Sequence, residues 1–306
     1  MYDLIIIGGG PAGTAASVYA ARKRLKTLLI AAEFGGQSTV SPEIQNWIGS
    51  VTISGEDLAK NFKEHVKAYA GDVLEVKEGE YVTLVTKSPE NITVTTDSGT
   101  YTSKTLLVAA GSHRRKLNVP GADMLEHRGL TYCASCDGPL FTDMDVVVLG
   151  GGNAGFETVA QLLAYCKSVT LINRSDTYRA EPITINKILS NPKTKEIKNA
   201  EIMEVKGDIM VSSIVYKDKT TGEIHELPTQ GVFVEIGQIP NTDFIKGVVE
   251  MTSGNQIIID PRTQKTKTEG IWAAGDCTDI LYHQNNIAAG DAVRALEDIY
   301  QSIYSR

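Results

Sequence analysis

The chain opens on a continuous apolar run, Leu4-Ile-Ile-Ile7, that ends in a glycine cluster, Gly8-Gly-Gly10-Pro11-Ala12-Gly13. An unbroken apolar run of this length is the pattern of a parallel strand buried on both faces. Small residues follow, Thr14-Ala-Ala-Ser-Val-Tyr-Ala-Ala21, predicting a close-packed helix, and Thr27-Leu-Leu-Ile30 predicts the next strand. Strand, glycine turn, helix and strand make one βαβ unit. The order then recurs. Asp145-Val-Val-Val-Leu149 leads into Gly150-Gly-Gly152-Asn153-Ala154-Gly155, a helix to about Lys167, and a closing strand Ser168-Val-Thr-Leu-Ile172.

Between the two units the pattern changes to alternation. Tyr81-Val-Thr-Leu-Val-Thr and Ile92-Thr-Val-Thr-Thr flank Ser88-Pro-Glu-Asn, which predicts a hairpin or meander. Ser213-Ile-Val-Tyr-Lys and His225-Glu-Leu-Pro flank Thr220-Thr-Gly in the same way, so one architecture is used twice. Near the carboxyl end, Gly270-Ile-Trp-Ala-Ala-Gly275-Asp276 echoes Leu106-Leu-Val-Ala-Ala110-Gly111. The expected class is α/β: two Rossmann-like dinucleotide-binding domains of three-layer ββα sandwich architecture, the second inserted in the first. The first domain is expected over residues 1–112 and 241–306 and the second over 113–240, with hinges near Ser112–Val119 and Glu235–Asn241.

Composition narrows the class only a little. At 306 residues there is room for about two domains, and 42% hydrophobic with 22% charged residues is ordinary for a globular protein. A net charge of -7 argues against a general nucleic-acid binder. The first apolar run lacks a basic flank and is too short for a signal peptide, and no stretch reaches the roughly 20 apolar residues of a membrane span. A cytoplasmic protein is expected.

The glycine clusters sit where the dinucleotide fingerprint needs them, after a strand and opening a helix. Glycines let the backbone approach a pyrophosphate, whose charge the helix amino terminus stabilises. Glu33 follows at about twenty residues, the spacing of a ribose-binding acid, although it falls a few residues beyond the predicted strand end. Between the two fingerprints lies Tyr132-Cys133-Ala-Ser-Cys136-Asp137-Gly138-Pro139. Two thiols at this spacing close and reopen a disulfide, and Asp137 is a candidate general acid for the leaving thiolate. Structural zinc needs a second ligand pair, and the chain has no other CxxC, CxxH or HxxxH. Cys166 reads as an inert core thiol in an apolar helical stretch, and Cys277 as a spectator.

Taken together these motifs resemble the low-molecular-weight thioredoxin reductases and the flavoprotein subunit of alkyl hydroperoxide reductase, over essentially the whole chain. That flavoprotein carries a further amino-terminal thioredoxin-like module, which is not expected here. The resemblance implies FAD at the first fingerprint, contacted by Gly8, Gly10, Pro11, Ala12, Gly13 and Glu33, and by Gly35-Gly36-Gln37 and Asn46. Ala110-Gly111, Gly275-Asp276 and His283-Gln284-Asn285 complete that set. It implies a nicotinamide nucleotide at the second, with Gly150, Gly152, Asn153, Ala154, Gly155, Arg174 and Arg179. It also implies that Cys136 faces the flavin, that Cys133 exchanges with a protein disulfide, and that the protein is a homodimer serving thioredoxin or a glutaredoxin-like partner.

The donor is the least legible part. NADPH-dependent relatives carry His-Arg-Arg-xxx-Arg after the closing strand, whereas this chain reads Asn173-Arg174-Ser175-Asp176-Thr177-Tyr178-Arg179. Two arginines survive. Asn173 is neutral where an NAD-selective site places an acid, and Asp176 would oppose a 2′-phosphate. The pattern fits NADPH, NADH, mixed use of both, or a donor such as reduced ferredoxin. Since dithiol and nicotinamide site share the inserted domain yet serve one flavin, alternation between two domain orientations is expected.

Overall fold

The computed structural model describes residues 1–41 and 43–304. The chain begins with β1 (Tyr2–Gly9), α1 (Pro11–Arg22), β2 (Thr27–Phe34), α2 (Gly55–Tyr69) and β3 (Leu74–Glu78). A meander follows, β4 (Val82–Lys87), β5 (Ile92–Thr96) and β6 (Thr100–Val108), and then the short β7 (Ser112–Arg114). Next come α3 (Ala122–Leu125), β8 (Leu130–Thr131), α4 (Ala134–Asp137), β9 (Asp145–Leu149), α5 (Asn153–Leu162) and β10 (Ser168–Ile172). After α6 (Pro182–Leu189) and β11 (Thr194–Ile197) lie β12 (Ala200–Gly207), β13 (Val211–Asp218) and β14 (Ile224–Pro228). The last elements are β15 (Gly231–Val234), β16 (Gln238–Pro240), β17 (Ile271–Ala273) and α7 (Asn285–Tyr304).

The chain divides into two compact units, one formed by residues 1–113 and 239–304, the other by Arg114–Gln238. It crosses from one to the other in β7 and β16, which pair with each other.

The first unit is built on a seven-stranded sheet in the order β3-β2-β1-β6-β5-β4, with β17 also pairing β6. β1 runs parallel to both neighbours, Ile5 facing Leu28 on β2 and Leu106 on β6. The unbroken apolar run is explained by what covers each side. Leu4 and Ile6 pack with Ala16, Ala20 and Leu296 of the helices, while Ile5 and Ile7 join Leu106, Ile257 and Ile271 on the opposite face. Alternate side chains of one strand thus enter two cores. The alanines of α1 are fully buried at Ala16 and Ala20.

β2 runs to Phe34, four residues beyond the predicted end, because Gly9 pairs with Phe34 across an irregularity in the ladder. Glu33 is therefore on the strand, not past it.

The second unit has a parallel sheet, β11-β10-β9-β15-β8, and a separate antiparallel sheet, β12-β13-β14. Val146 and Val148 pack with Phe156 and Leu162 of α5, while Val147 and Leu149 pack with Val205 and Ile214 of the antiparallel layer. α5 stops at Leu162, short of the predicted Lys167. Tighter bonds enter there, Ala164 N–H to Gln161 and Tyr165 N–H to Leu162, both 3.2 Å, beside a last helical bond from Cys166 N–H to Leu162 at 2.8 Å. They turn the chain so that the Lys167 amide reaches the Met144 carbonyl at 2.9 Å and β10 starts beside β9. Among the described residues no helix is long and apolar enough to cross a membrane.

Candidate functional site

The first glycine turn divides its glycines by what makes each one necessary. At Gly8 the backbone has φ +117°, and an added Cβ would lie 2.2 Å from the Ala109 carbonyl oxygen. At Gly13 a Cβ would lie 1.8 Å from the Gly8 oxygen. These two are glycine because the protein itself leaves no room. Gly10 differs: its φ is -76° and a Cβ there would meet no protein atom within 4 Å. Gly10 is also the N-cap of α1, where no side chain caps the helix and Pro11 takes the first position. α2, by contrast, is capped by Ser54, whose hydroxyl accepts from the Asp57 amide at 3.0 Å. An uncapped helix start beside an open glycine face leaves first-turn N–H groups of α1 directed at an external acceptor, which fits a pyrophosphate.

Around this turn the predicted residues from distant segments come together. Gly35 follows β2, its amide bonded to the Gly9 carbonyl at 3.0 Å, and Gly36 begins a short helical turn. Gly275, at φ +76°, sits against Ala12 of α1 and Ala288 of α7. Gln37 Nε2 donates to Ser112 Oγ at 3.2 Å and lies 3.5 Å from Asp276 Oδ2. Asp276 Oδ1 in turn lies 3.5 Å from His283 Nδ1, while the other ring nitrogen is 3.1 Å from the Ile280 carbonyl. Asn46 Nδ2 donates to Gln284 Oε1 at 3.2 Å, and Asn285 Nδ2 donates to Ser38 Oγ at 2.8 Å. Ala110 and Gly111 are held from below by Asn241, whose Nδ2 donates to the Ala110 carbonyl and whose amide donates to the Gly111 carbonyl, both at 3.0 Å. Glu33 is exposed at the end of β2, with its carbonyl oxygen 2.3 Å from where a Gly9 Cβ would fall. Cys277 lies beneath this shell, fully buried, its thiol near the Val108 and Ala274 carbonyls and pushed up to about 12 by burial. Such a thiol is inert.

The second turn repeats the first. A Cβ on Gly150 (φ +129°) would meet the Glu235 carbonyl at 2.1 Å, and one on Gly155 would meet the Gly150 carbonyl at 1.9 Å. Gly152 is the open position, an uncapped N-cap with nothing within 4 Å of a Cβ. Asn153 and Ala154 are exposed in the first turn of α5, and Asn153 Oδ1 accepts from the Glu181 amide at 3.1 Å. Arg174 and Arg179 are exposed, and the Arg179 amide donates to the Gly151 carbonyl at 2.8 Å. Asn173 is buried instead. Its Nδ2 donates to the carbonyls of Ser175 at 3.0 Å and Thr177 at 2.8 Å, so this amide shapes the loop that carries both arginines.

Cys133 and Cys136 form a disulfide with Cα atoms 5.3 Å apart, and both residues are partly exposed. Cys133 is the N-cap of the single-turn α4, and its carbonyl accepts from the Asp137 amide at 3.0 Å. Thr131 is absent from the residues expected on sequence grounds, yet it organises the turn: its hydroxyl donates to Asp137 Oδ2 and accepts from the Cys133 amide at 3.2 Å. Gln161 of α5 adds a second anchor, donating to the Ala134 carbonyl and accepting from Ser135 Oγ, both at 3.2 Å. Gly138 packs under the Tyr165 hydroxyl, and a Cβ there would fall 2.1 Å from Tyr165 Oη and displace that side chain. Cys166 is buried below, bonded to the Phe141 carbonyl at 3.3 Å and pushed up to about 11 by burial. The only sequence signal for Thr131 is its place two residues before the first thiol.

Two uncapped glycine turns that fit pyrophosphates thus accompany a partly exposed disulfide. Comparison with known proteins places the chain: residues 2–295 match the pyridine nucleotide-disulphide oxidoreductase family, and the chain belongs to that family. It is 39% identical to the F subunit of Pseudomonas putida alkyl hydroperoxide reductase over 96% of this chain and 56% of that protein. A Bacillus subtilis protein named NADH dehydrogenase is 37% identical over 96% of this chain and 57% of its own length. The chain thus spans little more than half of the curated relatives it matches. Among solved structures, thioredoxin reductase from Streptococcus pyogenes aligns with a TM-score of 0.89 at 33% identity, covering 100% of this chain and 99% of that one. That from Giardia duodenalis aligns at 0.92 and 29% identity, covering 99% and 98%.

Proposed function

We propose that this protein is an FAD-dependent disulfide reductase that passes electrons from NADH or NADPH through its flavin to Cys133–Cys136, and from there to a disulfide in a thioredoxin- or glutaredoxin-like protein. The observation that carries this reading is the disulfide itself, partly exposed and tied by Thr131 to a carboxylate four residues beyond its first sulfur. FAD at the first glycine turn and a nicotinamide nucleotide at the second supply hydride and electron transfer when bound. The glycine turns and helix starts of α1 and α5 bind and orient the pyrophosphates, and Gln37, Asp276 and His283 present polar groups beside the first of them.

The remaining chemistry belongs to the chain. Two electrons and two protons convert Cys133–Cys136 to a dithiol. The Cys133 thiolate attacks one sulfur of the partner's disulfide, forming a mixed disulfide and expelling the partner's first thiolate, which takes a proton. Cys136 then attacks Cys133 Sγ, restoring the internal disulfide and releasing the partner's second thiolate. Asp137 moves the proton at Oδ1, the oxygen that Thr131 leaves open. Asp137→Asn is expected to slow protein disulfide reduction by about a hundredfold, within the usual range for a general acid. Nucleotide affinity should stay the same; an unchanged rate of protein disulfide reduction would remove Asp137 from this role.

The NADH dehydrogenase relative makes NADH the first donor to test. Asn173 has no carboxylate to offer a ribose diol, and its amide is committed to the loop backbone. The assay is direct: FAD-loaded protein, either nucleotide, and an oxidised thioredoxin, with released thiols counted. Thiols formed with at least one nucleotide support the reading, and none with either overturns it.

A further inference from the structure

One buried carboxylate in the second unit has no part in the chemistry above. Glu235 directly follows β15, and its amide donates to the Leu149 carbonyl at 2.8 Å. Its carbonyl oxygen lies under Gly150, the first glycine of the second turn, at the 2.1 Å spacing that excludes any Cβ. The side chain is only 13% exposed. Oε1 accepts from the Thr158 hydroxyl at 3.0 Å, and the Arg114 guanidinium of β7 stands 3.8 Å away. Glu157, exposed on α5, adds a like charge. Arg114 and Glu157 are the charged groups acting on it among the described residues. Glu235 therefore bridges the crossing strand, the glycine turn and α5, the helix whose start forms the second nucleotide site.

We propose that Glu235 is a proton-linked positioning residue of the nicotinamide site, its carboxylate taking up a proton from solvent when an anionic dinucleotide occupies the glycine turn of α5. The inference rests on the functional reading above, which places the nucleotide there. Its physical basis is simple. A buried carboxylate with one hydroxyl donor and one cation at 3.8 Å, outside hydrogen-bond reach, is incompletely compensated. Burial pushes Glu235 above the ordinary carboxylate range, and Arg114 and the Thr158 hydroxyl pull it only part of the way back. Thr158 is five residues into α5, about 8 Å along the axis from its start. At that range a second anion raises the carboxylate's proton affinity further.

The direction follows from linkage. A group whose proton affinity rises on binding gives full nucleotide affinity below its free-state pKa, and that affinity is lost as pH rises through the bound-state value. Isothermal titration of FAD-loaded protein with NAD⁺ and with NADP⁺, in buffers of different ionisation enthalpy, counts the protons directly. The wild-type dissociation constant is expected to rise about three- to tenfold as pH is raised from the ordinary carboxylate range upward, with proton uptake on binding. Glu235→Gln keeps the acceptor for Thr158 and removes the titration. It should take up no proton at this site and bind at the higher pH as tightly as wild type does at the lower. Arg114→Met removes the cation and should move the loss of affinity to higher pH. Wild-type proton uptake in Glu235→Gln, or an unmoved midpoint in Arg114→Met, overturns the linkage alone. Failure of both nucleotides to bind wild-type protein overturns the functional reading, and the linkage with it.

Discussion

Replacing Cys136 with serine will lower protein disulfide reduction by about a thousandfold or more while leaving reduction of the bound flavin by nucleotide intact. The reason lies in the division of labour within the turn. Without Cys136 no internal disulfide can form, so Cys133 has no route by which to receive two electrons and no resolving thiol to release a mixed disulfide. The fold should survive, because Cys136 is partly exposed and the turn is held by Thr131 and Gln161, not by the sulfur bridge alone. Cys133→Ser should be equally inactive toward the protein partner. Measured side by side, the two variants separate a dithiol relay from an enzyme that hands flavin electrons directly to a small acceptor. In the latter, both would turn over like wild type.

The second large effect concerns the open glycines. Gly10→Ala places a methyl group where no protein atom lies within 4 Å, on a backbone that tolerates it. The protein should fold normally and lose FAD affinity by about a hundredfold, since the methyl holds the pyrophosphate away from the helix amides. Gly152→Ala should retain FAD and lose nicotinamide affinity by a similar factor. Gly8→Ala is the contrasting case. Its Cβ would overlap the Ala109 carbonyl on a φ +117° backbone, and a stability loss of roughly 3 kcal/mol or more is expected. Absorbance of bound flavin and thermal unfolding distinguish the three outcomes. Full flavin retention in Gly10→Ala would mean that the first turn does not approach a pyrophosphate.

What can be read from the sequence is local. The run Leu4–Ile7, the glycine turn and the alanines of α1 carry their own instructions, because burial on both faces and close backbone approach each demand particular residue types over a few positions. What cannot be read depends on pairs distant in the chain or on side-chain direction. Thr131 looks like any strand threonine until the α4 turn folds Asp137 back onto it. Asn173 reads as a gap in a nucleotide-recognition pattern, but in the folded unit its amide holds the loop bearing Arg174 and Arg179. Glu33 falls past the predicted strand because Ala31 and Ala32 end the strongly apolar run, while backbone pairing with Gly9 carries the strand on to Phe34. The end of α5 is hidden for a similar reason: residues 163–166 are compatible with helix, and the need to start β10 beside β9 ends it.

On this reading the flavin and the Cys133–Cys136 pair are successive stations for the same electrons. Anaerobic reductive titration of the FAD-loaded protein, followed by flavin absorbance and by thiol counting, tests it most directly. Each chain should take up about four electrons, about two at the flavin and about two at the disulfide, with about two new thiols, and Cys136→Ser should take up about two. Uptake of about two electrons by the wild-type chain, with no thiols formed while the flavin bleaches, would contradict it.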